Sequence, residues 1–250
     1  LKPKQAIELI NTMGSMMTKG LIGGQMIYPI MDEEWHIDRS LEIKVMQWLA
    51  QINEHCLEIK VMQWLAQINE HSDCQVYLSI NLGGYLVFGG NKAGLKALEE
   101  LLPKVQDRYP MRLFNHAAFH TPLLKNVSEQ AMHLMSADIF SAPSIPLIDG
   151  LGQVWQPYSC DIEQLYNYTL NTQVVEPYNF SKAIEVAIKE FAPDKLIILG
   201  PGATLGGAVA QSLIRHEWLN LTNKADFIAQ QKNAPFILSM GLLEQREKCC

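Results

Sequence analysis

The order of its apolar segments limits what this chain can fold into more than any other feature. Gln25 to Met31 is a short apolar run, and a helical segment follows it. Gln75 to Ile80 and Tyr85 to Phe88 are strand-like and joined by a turn at Gly83-Gly84. Lys92 to Val105 has helical spacing, and Met111 to Ala118 is strand-like again. This order suits a small ferredoxin-like α/β unit. Beyond Pro122, helices alternate with short strands: helices near Leu123 to Ser136, Asp161 to Leu170, Phe180 to Phe191 and Leu205 to Arg215, strands at Pro143 to Ile148 and Lys195 to Leu199. The continuous run Leu196-Ile197-Ile198-Leu199 implies a strand buried on both faces, as in a parallel sheet.

The helical segment carries an anomaly. L-E-I-K-V-M-Q-W-L-A-Q-I-N-E-H occurs at Leu41 to His55 and again, without a change, at Leu57 to His71, with Cys56 between. Solenoid repeats drift in sequence and need about three copies to bury a core. Two perfect copies imply a recent duplication or a sequence-assembly error. Ile43, Val45, Met46, Leu49 and Ile52 supply one apolar face per copy. The 16-residue offset turns that face by about 160° along one helix. Either one copy packs and the other is an insert, or the two form a hairpin.

Composition removes several function classes. At 250 residues and 48% apolar, with mean hydropathy of −0.01, the chain has the make-up of a soluble globular protein. It has no run of 18 apolar residues to span a membrane. A net charge of −6 with scattered Lys and Arg leaves no footprint for nucleic acid. Only 18% of residues are charged, below the roughly 25% of ordinary domains, which points to surface covered by further protein. Five cysteines without CxxC spacing read as free thiols of a cytoplasmic protein. Leu1 to Met17 reads as an amphipathic helix rather than a leader, as if continuing a longer chain.

The residues that could carry chemistry centre on Asn115 to Leu124, N-H-A-A-F-H-T-P-L-L, where His120 stands between an apolar strand and a proline-started helix. An imidazole there can take a proton from a hydroxyl and return it to a leaving thiol. A lone histidine at a strand end is, on residue type alone, more often structural. His36, His55, His71, His116, His133 and His216 show no metal-ligand spacing, and His116 with His120 lacks a third ligand.

The A-F-H-T-P-L-L run resembles the base-bearing segment of the malonyl-CoA:acyl-carrier-protein transacylase family, whose A-F-H-[ST]-P pattern presents a catalytic histidine. The resemblance runs from Ala6 to Ile214 and implies that His120 is the base. N-L-G-G-Y-L-V-F-G-G from Asn81 is similar to the family's acyl-pocket stretch, with Gly83 in place of its proline and Tyr85 in place of its glutamine. Asn81 can equally be a turn residue. Q-V-V-E-P-Y-N-F from Gln173 is similar to the run whose first residue lends a backbone carbonyl to the histidine's other nitrogen. Leu199 to Gly207 looks like the family's G-P-G turn and lacks the lysine and spacing of a phosphate loop. The resemblance implies an α/β-hydrolase-like subdomain at 1–21 and 119–250, with a ferredoxin-like subdomain inserted at 22–118.

The family's nucleophile, the serine of a G-H-S-x-G elbow, has no counterpart, since no G-x-S-x-G occurs in these residues. The G-Q-G oxyanion loop is absent too, so the N-terminal part of the fold is read as missing and the chain by itself as inactive. Where malonyl-specific members hold an arginine for the free carboxylate, the equivalent here is Met13. Phe119 accompanies unbranched acyl groups in the family. The implied activity moves malonyl, or another short unbranched acyl group, from CoA to the phosphopantetheine of an acyl carrier protein, for fatty-acid or polyketide synthesis. It requires no metal or bound cofactor. The alternative is a non-catalytic acyltransferase-like module that binds a carrier protein or synthase partner. A thioester hydrolase of the same broad fold would need the same elbow.

Overall fold

The computed structural model of the chain describes residues 3–19, 22–66, 74–200 and 202–249, the side chains of Pro3, Thr18 and 54–66 excepted. Strands β1 (Gly24–Pro29), β2 (Val76–Leu82), β3 (Tyr85–Gly90) and β4 (Met111–Leu113) form an antiparallel sheet in the order β4-β1-β3-β2. With helices α2 (Arg39–Ala66) and α3 (Lys92–Leu101) after β1 and β3, this is the ferredoxin-like arrangement. Period-two alternation puts Met26 and Tyr28 on one face of β1, continued by Ile30 just past its end, and Phe88, Leu95, Leu98, Val45 and Leu49 close a core over them. Gln25, buried, and Ile27 lie on the opposite face.

Helix α2 runs unbroken through Cys56, so the duplicated segments do not fold back as a hairpin. No Gly or Pro interrupts it. The first copy buries Val45, Leu49 and Ile52, spaced i, i+4, i+7, whereas Ile43 is 60% exposed. Two residues turn a helix by about 200°, so Ile43 and Val45 cannot share a face. The end of the second copy, 67–71, and all its side chains lie outside the described residues.

The other half begins with α1 (Pro3–Lys19) and resumes after β4. Pro122 opens a 3₁₀ turn into α4 (Lys125–Leu134). A two-strand hairpin, β5 (Leu147–Ile148) with β6 (Val154–Trp155), precedes α5 (Ile162–Asn167). A widened π turn over Tyr168–Thr172 leads into the short α6 (Gln173–Val175). Strand β7 (Tyr178–Asn179) then adds in parallel to β2, pairing Ile80 with Tyr178 and Asn81 with Asn179. After α7 (Phe180–Phe191), strand β8 (Leu196–Ile198) pairs in parallel with β9 (Ile237–Ser239), with α8 (Leu205–Arg215) and α9 (Lys224–Asn233) between them. The chain closes with α10 (Leu243–Arg246).

The two halves meet at the β2–β3 turn. Gly83 has φ of +64°, and a Cβ on it would meet the Ala208 carbonyl at 2.7 Å. Its amide donates to Ser181 Oγ at 2.8 Å, and the Gly84 amide donates to Gln211 Oε1 at 2.9 Å. Arg215 on α8 lies 3.6 Å from Glu42 on α2.

Three expectations need correction. The strand read over Met111 to Ala118 ends at Leu113, because Leu113 pairs with Gln25 and β1 offers only Gly24 beyond it. Phe114 is 88% exposed and Asn115 turns left-handed, with φ of +57°. The strand read over Pro143 to Ile148 is two residues long. Ile197 and Leu199 face away from the core, so β8 is covered on one side only.

Candidate active site

His120 lies in a tight turn seven residues past β4 and not at a strand end. The turn is pinned by three hydrogen bonds: Ala118 N–H donates to Ile22 O (2.9 Å), Phe119 N–H to Ala117 O (2.8 Å), and Thr121 Oγ1 to Ala118 O (2.6 Å). It rests on β3 at Gly89, where a Cβ would meet Thr121 Cγ2 at 2.8 Å. A side chain at position 89 would push the turn off the sheet. His120 itself has φ of +55°. That conformation is uncommon outside glycine and marks a position held by its surroundings.

His120 Nδ1 donates to the Gln173 carbonyl at 2.6 Å. A carbonyl can only accept, so the proton resides on Nδ1 and the neutral ring keeps its lone pair on Nε2. No partner meets Nε2 among the described residues. The carbonyl is free for this purpose for a local reason. In a helix Gln173 C=O would accept from the N–H of residue 177, and Pro177 has none. The preceding π turn frees further groups, and Ser128 Oγ donates to Leu170 O at 2.8 Å.

Burial holds the His120 imidazole below its ordinary pKa, with the Gln173 carbonyl pulling the other way. The ring is therefore neutral at pH 7 and competent to accept a proton. Tyr178 packs against it, ring centres 5.5 Å apart and tilted 45°. Burial, with the Asp149 carboxylate adding to it, raises the Tyr178 phenol, which stays protonated.

Beside the histidine lies an apolar cluster of Leu124, Val127 and Val174, with Met13, Met16, Met17, Phe119 and Val175 packed on it. The structure thus gathers Met13, Phe119, His120 and Gln173 into one region. Asn81 stands on β2, next in register to Tyr178, and its Oδ1 accepts from Ser181 Oγ at 2.9 Å. Tyr178 is the neighbour that the sequence reading passed over. Its place directly after Pro177, five residues beyond Gln173, was the available signal. His116 is engaged elsewhere: its Nδ1 meets Gln25 Oε1 at 2.7 Å. Among the described residues no three His, Cys, Asp or Glu side chains are grouped to hold a metal. No helix there is long and apolar enough to cross a membrane.

No family model and no curated protein sequence matches the chain. Solved structures do. All of this chain superposes on a malonyl-CoA:acyl carrier protein transacylase from Xanthomonas oryzae pv. oryzae, with a TM-score of 0.66 and 16% identity, covering 64% of that chain. The acyltransferase domain from the second module of the salinomycin polyketide synthase matches 99% of this chain at a TM-score of 0.64 and 18% identity, with 46% of that chain covered. A malonyl-transacylase solved in complex with a type II polyketide synthase acyl-carrier protein matches 85% at a TM-score of 0.59 and 18% identity, with 60% of that chain covered. The chain has the malonyl-transacylase fold. It spans less than two-thirds of the Xanthomonas enzyme's length. In this acyltransferase fold the ferredoxin-like sheet supplies the floor on which the His120 turn rests. The helical half supplies the Gln173 carbonyl and the apolar wall.

Proposed function

We propose that these residues form the base-bearing part of an acyltransferase that moves malonyl, or another short unbranched acyl group, from CoA to the phosphopantetheine thiol of an acyl carrier protein. The reading rests on one observation above the rest, the 2.6 Å contact from His120 Nδ1 to the Gln173 carbonyl, which commits one ring nitrogen and reserves the other. A serine hydroxyl gives its proton to Nε2 as its oxygen attacks the thioester carbonyl. The protonated ring then returns that proton to the departing CoA sulfur, leaving the acyl group on serine. In the second half, the phosphopantetheine thiol loses its proton to Nε2 and attacks the acyl-serine, and the serine recovers the proton. Phe119 and Met13 wall the acyl side in this reading, and Asn81 lines its margin. Met13 offers no charge to a malonyl carboxylate, which favours a small neutral acyl group unless another cation is present. The division into 1–21 with 119–250 and 22–118 belongs to the same proposal.

The nucleophilic serine is not supplied by a G-x-S-x-G elbow among the 250 residues. That observation also favours a second reading, a module that binds a carrier protein or synthase partner without turnover. One experiment separates them. An elbow-bearing segment with its G-Q-G loop is joined ahead of Leu1, and the product is mixed with radiolabelled malonyl- or acetyl-CoA and holo carrier protein. Label on the serine and then on the carrier is the expected result, with His120→Ala slowing transfer by about 100-fold or more. Transfer at full rate by His120→Ala would remove the histidine from the mechanism. Carrier binding without label, with the elbow folded in place, would favour the module.

A further inference from the structure

The face of the sheet under the His120 turn carries a chain of polar side chains that the proposed chemistry does not use. His116 Nδ1 meets Gln25 Oε1 at 2.7 Å, Gln25 Nε2 donates to Ser79 Oγ at 2.7 Å, and Ser79 Oγ donates to the Phe119 carbonyl at 2.7 Å. Gln25 and Ser79 are sealed from water. A buried polar group left unpaired costs about 1–3 kcal/mol, so each link requires the next.

The chain has one self-consistent polarity. The Phe119 carbonyl can only accept, so the Ser79 hydroxyl spends its single proton there. Ser79 must then accept from the Gln25 amide, which leaves Gln25 Oε1 to accept from His116. The backbone is shaped for this path. Ser79 sits where the β2 register slips between Leu78 and Ile80, a bulge that re-aims its side chain. Gln25 and Ser79 lie on strands two apart, with β3 between them, and β3 offers Gly89 opposite Gln25. Without a side chain at position 89, Gln25 can reach across to the bulge.

We propose that Gln25 and Ser79 are positioning residues for His120. The carbonyl they hold belongs to the peptide bond that joins Phe119 to His120. Fixing that peptide plane fixes the reference about which φ of His120 rotates. A left-handed residue with a Cβ lies about 1–2 kcal/mol above its right-handed form, so it needs such a hold to persist. The Gln173 carbonyl grips the ring at its far end, and the Gln25–Ser79 chain grips the backbone at its near end. This inference rests on the reading of His120 as the base.

The test uses ring-nitrogen NMR of the chain labelled with ¹⁵N-histidine, the His120 signals being assigned by their loss in His120→Gln. The native chain should show His120 with its proton on Nδ1. In Ser79→Ala the peptide is released, and the signals should move toward a mixture of tautomers, while circular dichroism stays native. Gln25→Glu preserves shape but reverses the polarity at Ser79, whose hydroxyl then turns to the carboxyl group, and the same loss is expected. Native ring signals in a folded Ser79→Ala would overturn the proposal. Should Ser79→Ala not fold, Gln25→Glu decides in the same way. In the elbow-bearing enzyme described above, both variants should lower kcat about tenfold or more with KM for acyl-CoA unchanged. An altered tautomer together with an inactive parent enzyme would sustain the positioning role and reject the acyltransferase reading.

Discussion

In the ferredoxin-like unit, four antiparallel strands lie under two helices and seal Met26, Tyr28, Phe88 and Leu98 from water. In the other half β8 packs Leu196 and Ile198 against α7 and α8, and leaves Ile197 45% exposed and Leu199, just past the strand, 78% exposed. The difference follows from strand direction. Antiparallel strands joined by short turns can bury one face and wet the other, whereas a parallel pair wants a layer on each side. The first half closes one core over one sheet, whereas the second distributes its buried residues over several smaller clusters. The largest effect should therefore come from the first: Phe88→Ala should lower unfolding free energy by about 3–5 kcal/mol in urea titration. A loss under about 1 kcal/mol would mean that this core is not the closed one described.

The joint between the halves comes next. Gln211, buried on α8, satisfies the Gly84 amide at the tip of the β2–β3 turn. Gln211→Ala should leave that amide unpaired and cost about 1–3 kcal/mol. If the halves unfold as one unit, the midpoint shifts and the transition stays single. Two transitions in the variant would show that this contact couples them.

The sequence carried the helices of the second half well and the strands of the first with ragged ends. Phe180 to Phe191 and Leu205 to Arg215 agree with α7 and α8 residue for residue, because apolar spacing and, for α7, the Asn179 cap mark the helix from within. Strand ends are decided by partners. Nothing within Phe114 to Ala118 announces that β1 has only Gly24 left to pair with it. The contact between His120 and Gln173 was expected from the family resemblance alone; that Pro177 lacks the N–H that would otherwise occupy the Gln173 carbonyl is a local rule the sequence also carried and that went unused. The Gln25–Ser79 chain was not legible. A polar residue in an apolar run looks like an interruption, and the bulge that aims Ser79 is a property of the ladder. The identical repeats misled for another reason. Ile43 and Val45 are two residues apart, and helical geometry separates what composition groups.

A smaller effect concerns acid. Lys189 and Lys182 contact Glu185 on α7 at 2.8 and 3.1 Å, and together they pull its carboxyl down to about 2. A depressed carboxylate stabilises the fold above its unfolded pKa of 4.5, and that contribution is lost as pH falls through about 2. Both lysines are half-exposed, so solvent screening keeps the whole at about 1 kcal/mol or less. Glu185→Gln should be the less stable chain at pH 6, with the gap closing toward pH 2. A gap that does not change with pH would show that the ion pairs contribute nothing measurable.

The smallest effect tests the bare face itself. Ile197 on β8 and Leu199 just past its end alternate with core residues, so replacing them by serine removes little that is packed. Each change should alter unfolding free energy by no more than about 0.5 kcal/mol, the range of surface substitutions. The same double variant should bind less of an apolar fluorescent dye and self-associate less, because it removes the exposed end of a strand face. These two readouts together distinguish an exposed face from a covered one. A loss of several kcal/mol would show that Ile197 and Leu199 are packed in solution. The contrast between the closed antiparallel half and the half-covered parallel pair would then fail at the strand that defines it.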